Sequence, residues 1–163
     1  MTLKPIDWTE FENFSLEEFK SSFDSDFYVT PEIDLLILLQ KVRSKLKKRI
    51  ILTDGPRTVT QHIKTYKSLD KRELLSGKKW FEAIPWGSRH LPKFNCGLRA
   101  VDLKCTDCVG KDGVTIYLTG EELKDIFRDE AKYMGLYTGI GVGKRYIHLD
   151  VDREQDTTWY YSY

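Results

Sequence analysis

Cysteine, histidine and proline are scarce in this chain: its 163 residues include three Cys, three His and five Pro. An odd, small number of cysteines argues against a complete disulfide framework. All three, Cys96, Cys105 and Cys108, fall within thirteen positions. Cys105 and Cys108 form a C-x-x-C pair that admits a zinc reading with Cys96 as third ligand. No fourth ligand stands at a paired spacing, so free or partly buried thiols are the preferred reading. An excess of one charge is lacking too, since 26 Lys and Arg face 25 Asp and Glu, for a net charge of +1. A nucleic-acid partner is therefore not expected. The longest apolar run, "LLILL" at 35–39, is too short to span a bilayer, so membrane insertion is not expected either. Asp7, Glu10 and Glu12 interrupt the stretch where a secretion signal would need an apolar core, which leads to the expectation of synthesis in the cytoplasm without a signal peptide.

What remains is a chain of single-domain size, able to bury about two-thirds of the surface its unfolded form exposes. Ser15 with Glu18 three residues on has the spacing of a capping box, predicting a helix start in "NFSLEEFKSS". A stronger helix is predicted in "TPEIDLLILLQKVRSKLKKR", capped by Thr30 with Pro31 in its first turn and Leu35, Leu38, Leu39, Val42 and Leu46 at helical spacing. A buried strand is expected at 50–53, broken by Asp54, Gly55 and Pro56, then a polar, partly helical segment to about 75 and a loop over 76–92. "LRAVDLK" and "VTIYLT" read as strands. Thr119 and Glu122 form a second capping box, opening a helix that buries Leu123, Ile126, Phe127 and Met134 and stops at Gly135. "GIGVGKRYIHLDVD" supplies a last turn and strand, and "TTWYYSY" continues the sheet. No repeat or linker divides the chain, so 1–163 is read as one α+β domain with a mostly antiparallel sheet and flanking helices.

The chemistry concentrates in "RYIHLDVDRE" at 145–154. Read as a strand, it places Ile147, Leu149 and Val151 on one face and Tyr146, His148, Asp150 and Asp152 on the other. His90 lies in the loop before the strand that carries Asp102, and Ala100 precedes Asp102 on the same face, leaving room for a metal or substrate. Two histidines and an aspartate on neighbouring strands can form a tripod that leaves a zinc position open. A lone strand histidine is more often a satisfied structural group, and on spacing alone both readings stand. His62, in the polar segment, reads as a surface residue. Trp80, Trp86 and Tyr137 are candidates for a cleft rim, although aromatics more often belong to a core.

The order "SRHL", "GLRAVDL", "YIHLDVD" resembles the zinc D-Ala-D-Ala carboxypeptidase family, whose fold is shared with the hedgehog signalling domain and with phage endolysin peptidases. That pattern runs Ser-x-His-x-x-Gly-x-Ala-x-Asp, matched by Ser88, His90, Gly97, Ala100 and Asp102, and closes on a strand with the third ligand, matched by His148. "NFSLEEFK", "ILTDGPRT" and "GLYTGIGVGKRYIHLDVD" resemble the opening helix, the arginine-bearing turn and the glycine-rich approach to the last ligand. The resemblance implies a hedgehog/D-Ala-D-Ala peptidase-like fold, Zn2+ held by His90, Asp102 and His148, and substrate binding by Arg57 and Ser88, with Arg57 also serving the developing oxyanion. It further implies hydrolysis of bacterial peptidoglycan stem peptides or cross-links by a phage-encoded endolysin or virion component, reaching the wall through a holin or within the particle. Two departures stand out. The segment from His90 to Asp102 is five residues longer than the pattern, and the acidic general base expected shortly before the last histidine is replaced by Gly143, Lys144, Arg145 and Tyr146. Asp150 is the candidate to take a proton or to orient His148; otherwise Asp150 and Asp152 simply pair with Arg or Lys on a solvated face. Bond specificity and oligomeric state stay open, and a catalytically inactive zinc-binding or structural virion module of the same fold is the alternative.

Overall fold

The computed structural model describes residues 5–24, 26–68, 87–92 and 96–162. They form one α+β domain around a mixed six-stranded sheet with three helices: α1 (Ile33–Leu46), β1 (Ile50–Asp54), α2 (Val59–Ser68), β2 (Ala100–Val109), β3 (Thr115–Tyr117), α3 (Gly120–Tyr133), β4 (Gly139–Val142), β5 (Ile147–Asp150) and β6 (Thr157–Tyr160). The strand order is β1-β2-β5-β4-β6, with β3 added to β2. Every pairing is antiparallel except β4 with β6, which run parallel.

Period-two alternation gives this sheet two faces of different character. Val101, Leu103 and Cys105 of β2, Ile140 and Val142 of β4, and Ile147 and Leu149 of β5 all point into the hydrophobic core. Leu35, Leu36, Leu38, Leu39 and Val42 of α1 and Leu123, Phe127 and Ala131 of α3 cover that face. The opposite face carries Ala100, Asp102, His148, Asp150, Gly139 and Gly141, brought level by the register pairs Ala100↔Asp150, Asp102↔His148, Gly139↔Asp150 and Gly141↔His148.

Several elements depart from the sequence reading. Ser15 N–H does donate to Glu18 Oε1 at 3.1 Å, but only a single 3-10 turn, Leu16–Glu18, forms before Phe19 turns fully into the core. Thr30 does not cap α1. Thr30 and Glu32 exchange backbone hydrogen bonds with Leu98, so the chain stays extended through Pro31 and the helix begins at Ile33. "GIGV" forms β4 rather than a turn. β2 is longer than "LRAVDLK" and runs through both cysteines of the C-x-x-C pair, burying Cys105 and leaving Cys108 exposed. Neither cysteine belongs to a metal-holding cluster among the described residues. The helix from Gly120 is as read, with Ile126 and Met134 only partly buried. Gly135, at φ 71°, ends it, and Leu136 N–H donating back to Ala131 O completes a Schellman closure.

Candidate metal centre

Two segments that flank the sheet set the first ligand. After β1 the "DGPR" turn lies against the "SRH" loop: His90 Nδ1–H donates to Gly55 O at 2.6 Å, and Arg57 N–H donates to His90 O at 2.9 Å. A carbonyl oxygen only accepts, so Nδ1 carries the proton and Nε2 of His90 presents a lone pair to the site. Asp54 fixes the arginine in the same turn, accepting from Arg57 Nε at 2.8 Å while its other oxygen accepts from Ser22 N–H at 3.0 Å.

The other ligands come from the paired central strands. His148 Nδ1 lies 3.0 Å from Asp102 Oδ1 and 3.0 Å from His90 Nε2. On its far side Nε2 lies 3.0 Å from Asp150 Oδ2. Asp150 is 1% exposed and is itself gripped by Arg153 through Nε to Oδ1 and Nη2 to Oδ2, both at 2.5 Å. Asp150 thus holds the Nε2–H of His148 and turns Nδ1 toward Asp102 and His90. Its geometry is that of a ligand-orienting group, with both oxygens already engaged.

Three acceptor atoms therefore converge with no donor of their own between them, and such a cluster requires a proton or a cation at its centre. Their separations of 3.0, 3.0 and 3.3 Å lie a few tenths of an ångström under the edge of a tetrahedron, about 3.3–3.6 Å, for metal–nitrogen and metal–oxygen bonds of about 2.0–2.2 Å. His90, Asp102 and His148 can hold a metal ion, and each imidazole has its outer nitrogen locked, as metal-binding histidines normally do.

The electrostatics agree. Burial pushes His148 down, but hydrogen bonds to Asp102 and Asp150 outweigh it and raise its pKa to about 9. Burial opposes the charge on Asp102, yet the His90 and His148 imidazoles beside it hold its carboxyl far below the usual carboxylate range. Asp150 is likewise held low by Arg153 and His148 against the penalty of burial. In the metal-free chain a proton on His148 occupies the place between the two carboxylates.

A cleft of about 390 Å3 opens over the cluster, lined by Arg57, Ser88, Arg89 and Arg153 and walled by Tyr66, Trp159 and Tyr161. The sequence reading placed His90, Asp102, His148, Asp150, Arg57 and Ser88 here, and all six are in or beneath this cleft. Ser88 Oγ accepts weakly from His90 N–H at 3.4 Å, and Arg57 reaches Asp102 Oδ2 at 3.5 Å.

Other expectations need correction. Asp152 is not on the site face: its φ of 65° turns the chain out of β5, and its carboxylate pairs with Arg99 at 2.9 Å. His62 is buried rather than on the surface, because α2 turns it inward beside Tyr66 with ring centroids 5.0 Å apart. Tyr137 is 54% exposed and does not line the cleft; Trp80 and Trp86 lie outside the described residues.

Arg153, Arg89, Trp159 and Tyr161 escaped the sequence reading. Trp159 sits 5.2 Å from the His148 ring and 5.8 Å from the Arg153 guanidinium. The alternation Gly139-x-Gly141 was the available signal for all of them but Arg89. A Cβ on Gly139 would lie 2.6 Å from Asp150 Oδ2 and 2.5 Å from Arg153 Nη2, and one on Gly141 would lie 2.6 Å from Trp159 Nε1. Both glycines leave the space that the Asp150–Arg153 pair and the indole occupy. Compared with family models, with curated proteins and with solved structures, the chain finds no match.

Proposed function

We propose that this chain is a zinc-dependent peptidase with the fold of the D-Ala-D-Ala carboxypeptidase family, acting on stem peptides or cross-links of bacterial peptidoglycan. One observation carries the proposal: two imidazole lone pairs, each ring held at its outer nitrogen, converge with a carboxylate oxygen at near-tetrahedral spacing on the floor of an open cleft. Two histidines and one carboxylate suit zinc and leave a coordination position for catalysis. A zinc bound there would supply Lewis acidity toward a peptide carbonyl and an attacking water. The chain's own residues do the rest. His90 and His148 are held in one tautomer by Gly55 O and Asp150. Arg57, pinned by Asp54 beside Asp102, offers a planar cation to a carboxylate or a developing oxyanion. Ser88 presents its hydroxyl at the same rim. A phage origin, with delivery to the wall by a holin or within a virion, belongs to this proposal. No helix among the described residues is long and apolar enough to cross a membrane.

A second reading has an observation of its own: residues 143–146 contain no carboxylate, and Asp150 is occupied by Arg153 and His148. A metal-binding module of the same fold without turnover, serving as a structural part of a virion, would keep the cluster and lose the base. Metal analysis of the purified wild type beside His148→Ala tests the site. About one zinc per chain, absent from the variant, supports it, and release of free amino or carboxyl groups from purified peptidoglycan then separates enzyme from module. No zinc in either protein after incubation with zinc would end the peptidase and metal-binding readings and leave a metal-free structural role.

A further inference from the structure

Arg57 and Arg89 flank the cluster almost symmetrically. Arg57 approaches Asp102 at 3.5 Å, and Arg89 approaches Asp150 at 3.5 Å. Their charge balance differs. Arg57 is neutralised by Asp54, at 2.6 Å. Arg89 is tied instead to uncharged groups, donating from Nε to Val151 O at 3.0 Å and from Nη2 to Asp152 O at 2.7 Å. Asp150, its nearest carboxylate, is already claimed by Arg153 and His148. Nη1 of Arg89 has no partner among the described residues, and the side chain is 21% exposed in the cleft wall. Three arginines face three aspartates in and under this cleft, so a divalent metal leaves it with two positive charges in excess.

We infer that Arg89 is a specificity-determining residue that receives a carboxylate of the bound peptide, and that the cleft selects anionic over neutral peptides. The two carbonyl tethers hold the guanidinium in one orientation, so little side-chain freedom is lost when an anion docks. A charge-assisted contact in a partly enclosed cleft is strong enough to discriminate a carboxylate from its amide by roughly tenfold or more. The carboxylate has two sources in a wall peptide, its C-terminus or an acidic side chain. The inference rests on the metal-centre reading given above but does not require turnover.

The test uses the zinc-loaded protein and a synthetic peptidoglycan stem pentapeptide in three forms: all carboxylates free, C-terminus amidated, and side-chain carboxylate amidated. Binding is measured by calorimetry and zinc content on the same samples. Wild type should lose at least about tenfold in affinity for one amidated form, which identifies the source. Arg89→Gln should bind the free form as weakly as wild type binds that amide, with zinc retained. Arg89→Lys, which keeps the charge, should restore part of the preference and covers the case in which Arg89→Gln fails to fold. Equal binding of all three forms by zinc-replete wild type, or no binding of any, overturns the inference, as does an undiminished preference in zinc-replete Arg89→Gln. Absence of zinc would instead bring down the metal-centre reading.

Discussion

At the scale of single residues, the site depends on what stands behind each ligand. Asp150 touches His148 Nε2 and nothing in the metal position, so its substitution separates orientation from ligation. Asp150→Asn keeps the shape but weakens the hold on Nε2–H and leaves Arg153 without a counter-charge. Metal affinity should fall about 10- to 100-fold, as for other groups that orient a ligand from behind; competition with a chromogenic chelator measures it. Unchanged affinity would show that His148 needs no such support. His90, Asp102 and His148 were legible because each lies on, or just before, a strand with clear alternation. Arg153 was not. Continued alternation would send residue 153 to the core face, but the left-handed turn at Asp152 swings it back onto Asp150 three positions earlier. His62 misled for a related reason, since a polar sequence gave no hint that Tyr66, one helical turn on, shares its inner face.

At the scale of elements, local signals decided most of what could be read. Thr119 Oγ1 accepts from Glu122 N–H at 3.2 Å and Glu122 Oε2 accepts from Thr119 N–H at 2.8 Å, the reciprocal box expected at the start of α3. Thr119→Ala should cost about 1 kcal/mol, seen as a drop in Tm of about 2–4 °C in a domain of this size, with metal content unaltered because α3 packs on the face away from the cluster. α1 and α3 were legible from their 3.6-residue period and β1 from its apolar run. β4 was hidden because glycine is normally depleted from strands; here Gly139 and Gly141 are demanded by Asp150, Arg153 and Trp159 on the neighbouring elements. The parallel union of β6 with β4 has no local signature, since it is fixed by how the chain returns after Arg153.

At the scale of the whole molecule, the His90, Asp102 and His148 cluster ties stability to pH, and a metal bound there would compete with the proton it holds. The folded chain raises His148 from its usual 6.5 to about 9. Without metal, that group therefore contributes its full stabilisation below about pH 6.5 and loses it as pH climbs toward 9, an effect of at most roughly 3 kcal/mol. Chelator-treated protein should unfold at progressively lower temperature across that window, and a flat profile would contradict a charged His148 between the two carboxylates. Metal competes with the same proton, so its affinity should rise by about tenfold per pH unit up to that pKa, with one proton released on binding; calorimetry in buffers of different ionisation enthalpy counts it. Finally, β5 is bonded along both edges, to β2 and to β4, so the strand that carries His148 has no free side from which to peel. Its amides should be among the last to exchange with deuterium. A metal held at this cluster would then exchange through the cleft and the His90 loop more readily than by breathing of the sheet, so its release should be slow wherever that loop is held still.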